Sequence, residues 1–461
     1  MEQIRAVARF SLLLSILALA GSASAGPIFA TGDLQAAIDG AMPGDTLIVP
    51  SGEYDPFTVD KRLSIQGVGF PSARAQTQNS AITIMADGVR LQGFKVVGAP
   101  KNQDDKFRFY MDLSDRKPQY SLNQPNSGVL VVGDGVFIED LVVEGSEAGV
   151  LVKGSRNFTI INSSFERCDS GLWLQDCEVA AVEGSAFLEC DKYGVRIEGS
   201  EGITVQGNRV CENSGAGVLL KDSSGCTVAK NEFSRNWQGL FLWNSSFCDI
   251  LENDAHRNVY YGMVIASGSN NTIVGNRVTK NGGSGPGLLG IGISIQENCT
   301  HNLVAGNLLE ENLNGIDLTR GSQFNLVCYN EISKNSNGIR LDKNENNLVY
   351  KNNFRRNIIS GYDNASNNFW NGSIGNYYDD YRGRDRDSDG IGDDPYWIPK
   401  GSSCAVDWRP LMKPVEEEVD VDAAWEDLGR YAIYSPLEDL PYKVENRTIV
   451  IAKREPSKWW I

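Results

Sequence analysis

Histidine is nearly missing from this chain: only His256 and His301 occur in 461 residues. Methionine is scarce too, with six copies well scattered. A soft-metal centre needs clustered imidazole or sulfur, so the composition argues against a copper site. No apolar run after the first 25 residues approaches transmembrane length. Basic charge is in deficit, and the formal net charge of -16 argues against nucleic acid as a partner, because phosphate binding needs a basic stripe. Proline is sparse, and the 3.6-residue apolar period of helical repeats is absent.

What is present begins with an export signal. Arg5 and Arg9 precede an apolar run from Phe10 to Ala20, and Ala23-Ser24-Ala25 forms a small-x-small cleavage site. The chain is therefore expected to be exported, to the periplasm, the cell surface or the medium, after cleavage near Ala25.

The remainder repeats itself. A glycine recurs at Gly149, Gly171, Gly194, Gly217, Gly239, Gly262, Gly292, Gly315, Gly338 and Gly361. The steps are 22 or 23 residues, except for one of 30 that carries a Gly-rich insertion at 282–290. Apolar residues occupy the first and third positions after most of these glycines, as in Ile316/Leu318 and Ile339/Leu341, which reads as a short strand with alternate residues buried. Asparagines recur in phase at 208, 231, 253, 276, 307, 330 and 352. A second column runs Cys168, Cys190, Asn213, Asn236, Asn258, Asn281, Asn312, Asn335 and Asn357. Such asparagines suit left-handed turn positions and can bond to their copies above and below. No unit buries its apolar face alone, so the units must stack. The fold predicted is all-β: a single-stranded, right-handed parallel β-helix of 22–23-residue coils, with an N-terminal capping helix over 33–41 and a small irregular C-terminal extension. The divisions expected are a signal (1–25), a cap and first coils (26–98), an inserted surface loop (99–127), regular coils (128–375), an Asp-rich closing segment (376–414) and an acidic linker with tail (415–461).

The opening "AIDGAMPGDTLIVPSGEY…DKRLSIQG", the coil motif, and the closing "NYYDDYRGRDRDSDGIGDDPYWIP…DWRPLMKP" resemble the NosD-like β-helix family over residues 33–414. That family is also described as a carbohydrate-binding and sugar-hydrolase-type β-helix module. The resemblance implies a β-helix, export, and for the branch that gives the family its name a periplasmic accessory role in copper delivery to nitrous-oxide reductase.

Two columns of the repeated strand point away from the core. They carry Trp173, Arg196, Phe241, Asp317 and Arg340, with Trp243 and Asp342 alongside. Aromatic faces with interleaved charges suit a polysaccharide or surface glycan. The bland alternative is that these aromatics pack beneath the 99–127 or 282–290 insertions. Asp317 and Asp342 lie one coil and two residues apart, on the order of 8 Å, and are the weak candidates for a hydrolytic pair. An exposed ion pair between Asp317 and Arg340 explains the same residues. In "DRDSDGIGDD", Asp385, Asp387, Asp389 and Asp393 match the first half of a calcium loop, but Tyr396 stands where the bidentate glutamate belongs. Calcium is the cofactor expected. Cys168/Cys190 and Cys226/Cys248 stand in matching columns one coil apart, within disulfide reach; stacked thiols fit the spacing equally well. The functional expectation is a glycan-binding rod, with a polysaccharide-cleaving enzyme, a copper-delivery accessory and a structural surface rod as alternatives.

Overall fold

The computed structural model describes residues 27–30, 32–75, 80–98, 126–282, 290–365, 367–417, 419–424, 426, 442–445 and 448–451. The signal, most of both insertions and most of the tail lie outside these residues. The rest is a right-handed parallel β-helix. Three parallel sheets of 14, 13 and 14 strands run its length, and each coil contributes one strand to each. The first sheet runs from Ile28–Phe29 to Leu348–Tyr350, the second from Phe57–Val59 to Ile359–Asn364, and the third from Glu53–Tyr54 to Tyr377–Tyr378. At ~4.8 Å per rung the rod is roughly 60 Å long.

The recurring glycine is required by close approach. Gly149, Gly171 and Gly217 stand in six-residue strands of the second sheet. A Cβ added at Gly149 would meet the carbonyl oxygen of Gly171 at 2.3 Å, and one at Gly217 would meet that of Gly239 at 2.6 Å. Inside the rod, like stacks on like: the Phe165 and Phe187 rings lie 4.8 Å apart and parallel. Buried apolar side chains run from Ala30 at one end to Ile398 at the other as a single core.

The asparagine columns form ladders. In the first, the backbone N–H of Asn208 donates to Oδ1 of Asn231, and the relation repeats through Asn253, Asn276, Asn307, Asn330, Asn352 and Asn376. Each Nδ2 also donates to the next Oδ1, as from Asn253 to Asn276 at 3.0 Å. The second ladder links Cys190 and Asn213 through to Asn357. A third, which the sequence reading missed, runs Cys248, Asn271, Asn302, Asn325, Asn347 and Asn368. The asparagines themselves are not left-handed, contrary to expectation. Asn376 apart, the residue before each one is, as at Lys230 (φ 56°), Glu252 (φ 53°) and Lys280 (φ 56°). That residue turns the chain so that the amide is delivered inward; it is a glycine before Asn208, Asn276 and Asn307 and a long polar residue at many other rungs.

Both ends are closed. The helix Leu34–Gly40 buries Leu34 and Ile38 over the first coil, and Asp33 caps it by accepting from the backbone N–H groups of Gln35 and Ala36. At the far end Tyr378 stacks on Phe354 at 5.0 Å and Tyr396 stacks on Tyr378 at 3.7 Å. The strands Tyr396–Trp397 and Val406–Asp407 pair antiparallel there. The stretch expected to be an acidic linker is docked. Val419, Val421 and Ala424 pack on Leu303, Leu326, Cys328 and Tyr350 on the outer side of the first sheet, and the backbone N–H of Val415 donates to Asn353 at 2.8 Å.

Candidate functional site

The outer face of the second sheet is less open than alternation alone predicts. Leu151, Leu219, Val264, Ser294 and Asp317 in the expected ribbon are all buried. Trp173 is occupied as well, because the Arg196 guanidinium lies over its ring at 3.8 Å. Arg196 is held there by Glu198 at 3.0 Å, and Lys221 reaches the same carboxylate at 3.6 Å.

Two regions of this sheet remain available. Phe241 and Trp243 form a tilted pair with centroids 5.7 Å apart, and Trp243 is 37% exposed. Beside them Trp237 stacks on Tyr260 at 5.7 Å, and Tyr260 meets Tyr261 edge-on. Farther along, Arg340 stands between the two candidate carboxylates. Its guanidinium donates to Asp317 at 3.0 Å and to Asp342 at 2.6 Å, with Tyr362 below it. Burial pushes the Asp317 carboxyl up to about 6 although Arg340 pulls it down. The pair anticipated as exposed is thus a partly buried triad. Its carboxylates clamp a cation instead of facing each other across an open gap.

Asp342 accepts from Asn364 at 3.1 Å, and Asn364 borders an open polar groove of about 560 Å³ lined also by Gln323, Lys343, Glu345, Ser402 and Ser403. The second sheet then continues through a bridge from Tyr362 to Lys400. At that end Trp397 and Trp408, 60% and 63% exposed, tilt together with centroids 6.5 Å apart. Sequence reasoning passed over this pair, because both residues lie where the repeat has ceased. Of the three exposed tryptophans among the described residues, Trp243 stands on this sheet and Trp397 and Trp408 stand in the segment that closes the same end of the rod.

Of the four acidic residues in the expected calcium loop, three converge. Oxygens of Asp385, Asp387 and Asp389 lie within 4.8 Å of one another. Gly390 N–H donates to Asp385 at 3.0 Å, which shapes the turn. Asp393 is turned away, accepting from the backbone N–H of Arg386 and pairing with its guanidinium at 3.6 Å.

The four cysteines proposed as staples are thiols in this structure, on successive rungs. Cys168 and Cys190 each donate to the carbonyl two residues back, at 3.6 and 3.7 Å, and Cys226 and Cys248 do the same at 3.4 Å. A different cysteine has more varied company. On the outer side of the third sheet, Cys211, Ser234 and His256 are register partners on three successive rungs. Glu232 Oε1 lies 3.9 Å from the Cys211 sulfur, 3.2 Å from the Ser234 hydroxyl and 3.6 Å from His256 Nε2.

This architecture defines the class, a right-handed parallel β-helix with polar ladders and capped ends. A family model described as periplasmic copper-binding protein (NosD) matches residues 127–319 and 289–383, and the chain belongs to that family. No curated protein sequence matches it significantly. Among solved structures, the A-module of the mannuronan C-5 epimerase AlgE6 from Azotobacter vinelandii is similar at 13% identity and TM-score 0.52, over 73% of this chain and 92% of that one. The Dettilon tailspike protein is similar at 14% identity and TM-score 0.48, over 62% and 60%. At such identities the likeness is one of fold. No helix among the described residues is long and apolar enough to cross a membrane. The family description names copper, whereas the group of three ligand atoms that lie within 4.8 Å of one another among the described residues is Asp385, Asp387 and Asp389, an all-oxygen set that does not suit a soft ion.

Proposed function

We propose that this protein is a periplasmic glycan-binding rod that holds a polysaccharide chain along the outer face of its second sheet. The observation that carries this reading is the placement of the exposed tryptophans. Trp243 stands midway along the sheet, Trp397 and Trp408 stand at its end, and the Arg340 triad and polar groove fill the interval. Indole faces stack on the apolar faces of sugar rings. The Arg340, Lys343, Asn364 and Ser402 donors suit hydroxyl and uronate oxygens. Burial under existing packing takes Trp173 and Arg196 out of the direct contact surface, so they support the face from one side. The Asp385 loop is proposed to hold calcium and to rigidify the end that carries the tryptophan pair.

The test is affinity electrophoresis through gels containing neutral or acidic polysaccharides. Selective retardation is expected in one of them, and Trp243→Ala and Trp408→Ala should each weaken it about two- to tenfold, given ~0.5–1.5 kcal/mol per aromatic contact. Equal mobility in every gel would remove the reading.

A further inference from the structure

The cations on the outer face of the second sheet are already matched to carboxylates. Arg196 and Lys221 share Glu198, and Arg320 pairs with Glu297 at 3.0 Å. Arg340 is engaged twice, its Nη1 donating to Asp317 and its Nη2 to Asp342. Two carboxylates around one guanidinium leave that triad with a surplus negative charge. Between the strand Ile291–Gln296 and the bridge at Lys400, this face, its turns and its groove carry Arg320, Arg340, Lys343 and Lys400. Against them stand an equal number of carboxylates, on Glu297, Asp317, Asp342 and Glu345. In a chain of formal net charge -16, such a face has no positive field with which to draw in an anionic polymer.

The polar groove beside Asn364 offers what a hydroxyl group needs. Gln323, Lys343 and Glu345 line it, and among the described residues their side chains make no hydrogen bond or ion pair within the protein. An amide, an ammonium and a carboxylate together both donate and accept. A sugar hydroxyl does the same, whereas an ionised carboxylate only accepts and would confront Glu345 and the surplus charge of the triad. The wall behind is fixed, because Ser402 Oγ donates to Asn364 Oδ1 and Asn364 Nδ2 donates to Asp342 at 3.1 Å. Resting on the glycan-binding reading and narrowing it, we infer that the polysaccharide is neutral, a chain of uncharged sugars whose hydroxyls are read in this groove. Lys343 donates to a ring hydroxyl there and Glu345 accepts from one. Uronate and sulfated polymers are turned away by the same carboxylates that hold Arg340 in place.

The experiment runs the full chain through gels containing a neutral β-glucan, a neutral galactomannan, alginate or polygalacturonate. The polymer that retards it is then titrated by tryptophan fluorescence at about 50 and 500 mM salt, between which the screening length falls from roughly 14 to 4 Å. Retardation is expected in a neutral gel and not in the acidic ones, with an affinity that changes less than about twofold between the two salts. Glu345→Gln keeps the shape of the side chain and removes its charge, so it should weaken neutral binding about fivefold, as for one charge-assisted hydrogen bond made neutral. Retardation by an acidic polymer that equals or exceeds the neutral one, or affinity that collapses as salt rises, would overturn the neutral assignment and leave glycan binding standing. Undiminished neutral binding by Glu345→Gln would overturn the part given to the groove. Equal mobility in every gel would instead remove the binding reading itself, and this assignment with it.

Discussion

Asn253→Ala removes the middle of the longest amide ladder, and its cost can be worked from the bonds lost. The Asn253 side chain donates to Val228 O at 2.8 Å and to Asn276 Oδ1 at 3.0 Å, and it accepts from Asn231 N and Asn231 Nδ2, both at 3.0 Å. All four bonds are buried. A net contribution of ~1 kcal/mol for each of the four bonds gives a loss of about 4 kcal/mol. Serine serves as an internal control, because Ser185 already occupies an earlier rung of this column. There its hydroxyl accepts from Ser163 N at 3.0 Å and donates to Glu183 O at 3.0 Å. Asn253→Ser keeps an acceptor for the preceding coil and loses the reach to Val228 and Asn276, so about 2 kcal/mol should go. Urea unfolding followed by tryptophan fluorescence and by far-ultraviolet circular dichroism measures both. A loss below 1 kcal/mol for the alanine variant would show that the ladder decorates a fold held by apolar stacking alone.

Three further outcomes follow from the same structure. Asp317 and Asp407 are both pushed up to about 6 by burial, so the folded state holds their protons more tightly than the unfolded chain does. Stability should therefore be greatest near pH 4 and fall as pH rises to about 6, levelling off above. The fall is ~3 kcal/mol per group at most, and Asp407→Asn should remove its share of that slope; a flat profile between pH 4 and 6 would contradict this. Calcium at a hundred times its dissociation constant should stabilise the closing segment by ~2.7 kcal/mol, and Asp385→Asn should erase that gain; identical melting in calcium and in EDTA would remove the calcium proposal. Denaturing thiol titration should return nine thiols, the full cysteine count, whereas five would mean that Cys168/Cys190 and Cys226/Cys248 are stapled after all.

The coil was legible because its signals are local and repeated. A glycine followed by Ile316 and Leu318, then by Ile339 and Leu341 one period later, leaves little freedom in register, and the structure pairs those residues. The third ladder escaped notice because its early rungs hold Ala180, Ile203, Cys226 and Cys248, so that its asparagines begin only at Asn271. The site was less legible than the fold. Alternation says which side chains point outward, but not which of those are then buried, so Leu151 and Ser294 looked as open as Trp243. Trp397, Trp408 and Asp407 lie beyond the repeat, where no period marks them. Cys211 and His256 fall in a column that neither glycine nor asparagine announces.

The first amide ladder has a direction. From amide to amide, every rung donates toward the C-terminal end and accepts from the N-terminal end, while its other Nδ2 hydrogen reaches back to a carbonyl of an earlier coil, so a rod cut at any coil would present unmet N–H donors at its C-terminal face. An asparagine can both receive and pass on, and so never ends the series. Asp407 ends it: its carboxylate accepts from Asn376 N at 2.8 Å and from Asn376 Nδ2 at 3.2 Å and has no amide hydrogen to hand forward. A carboxylate in the place of an amide is thus a stop signal written in hydrogen-bond polarity. Coils can be gained or lost upstream of it without rewriting the terminus, so the length of the rod is free to change while its end stays the same.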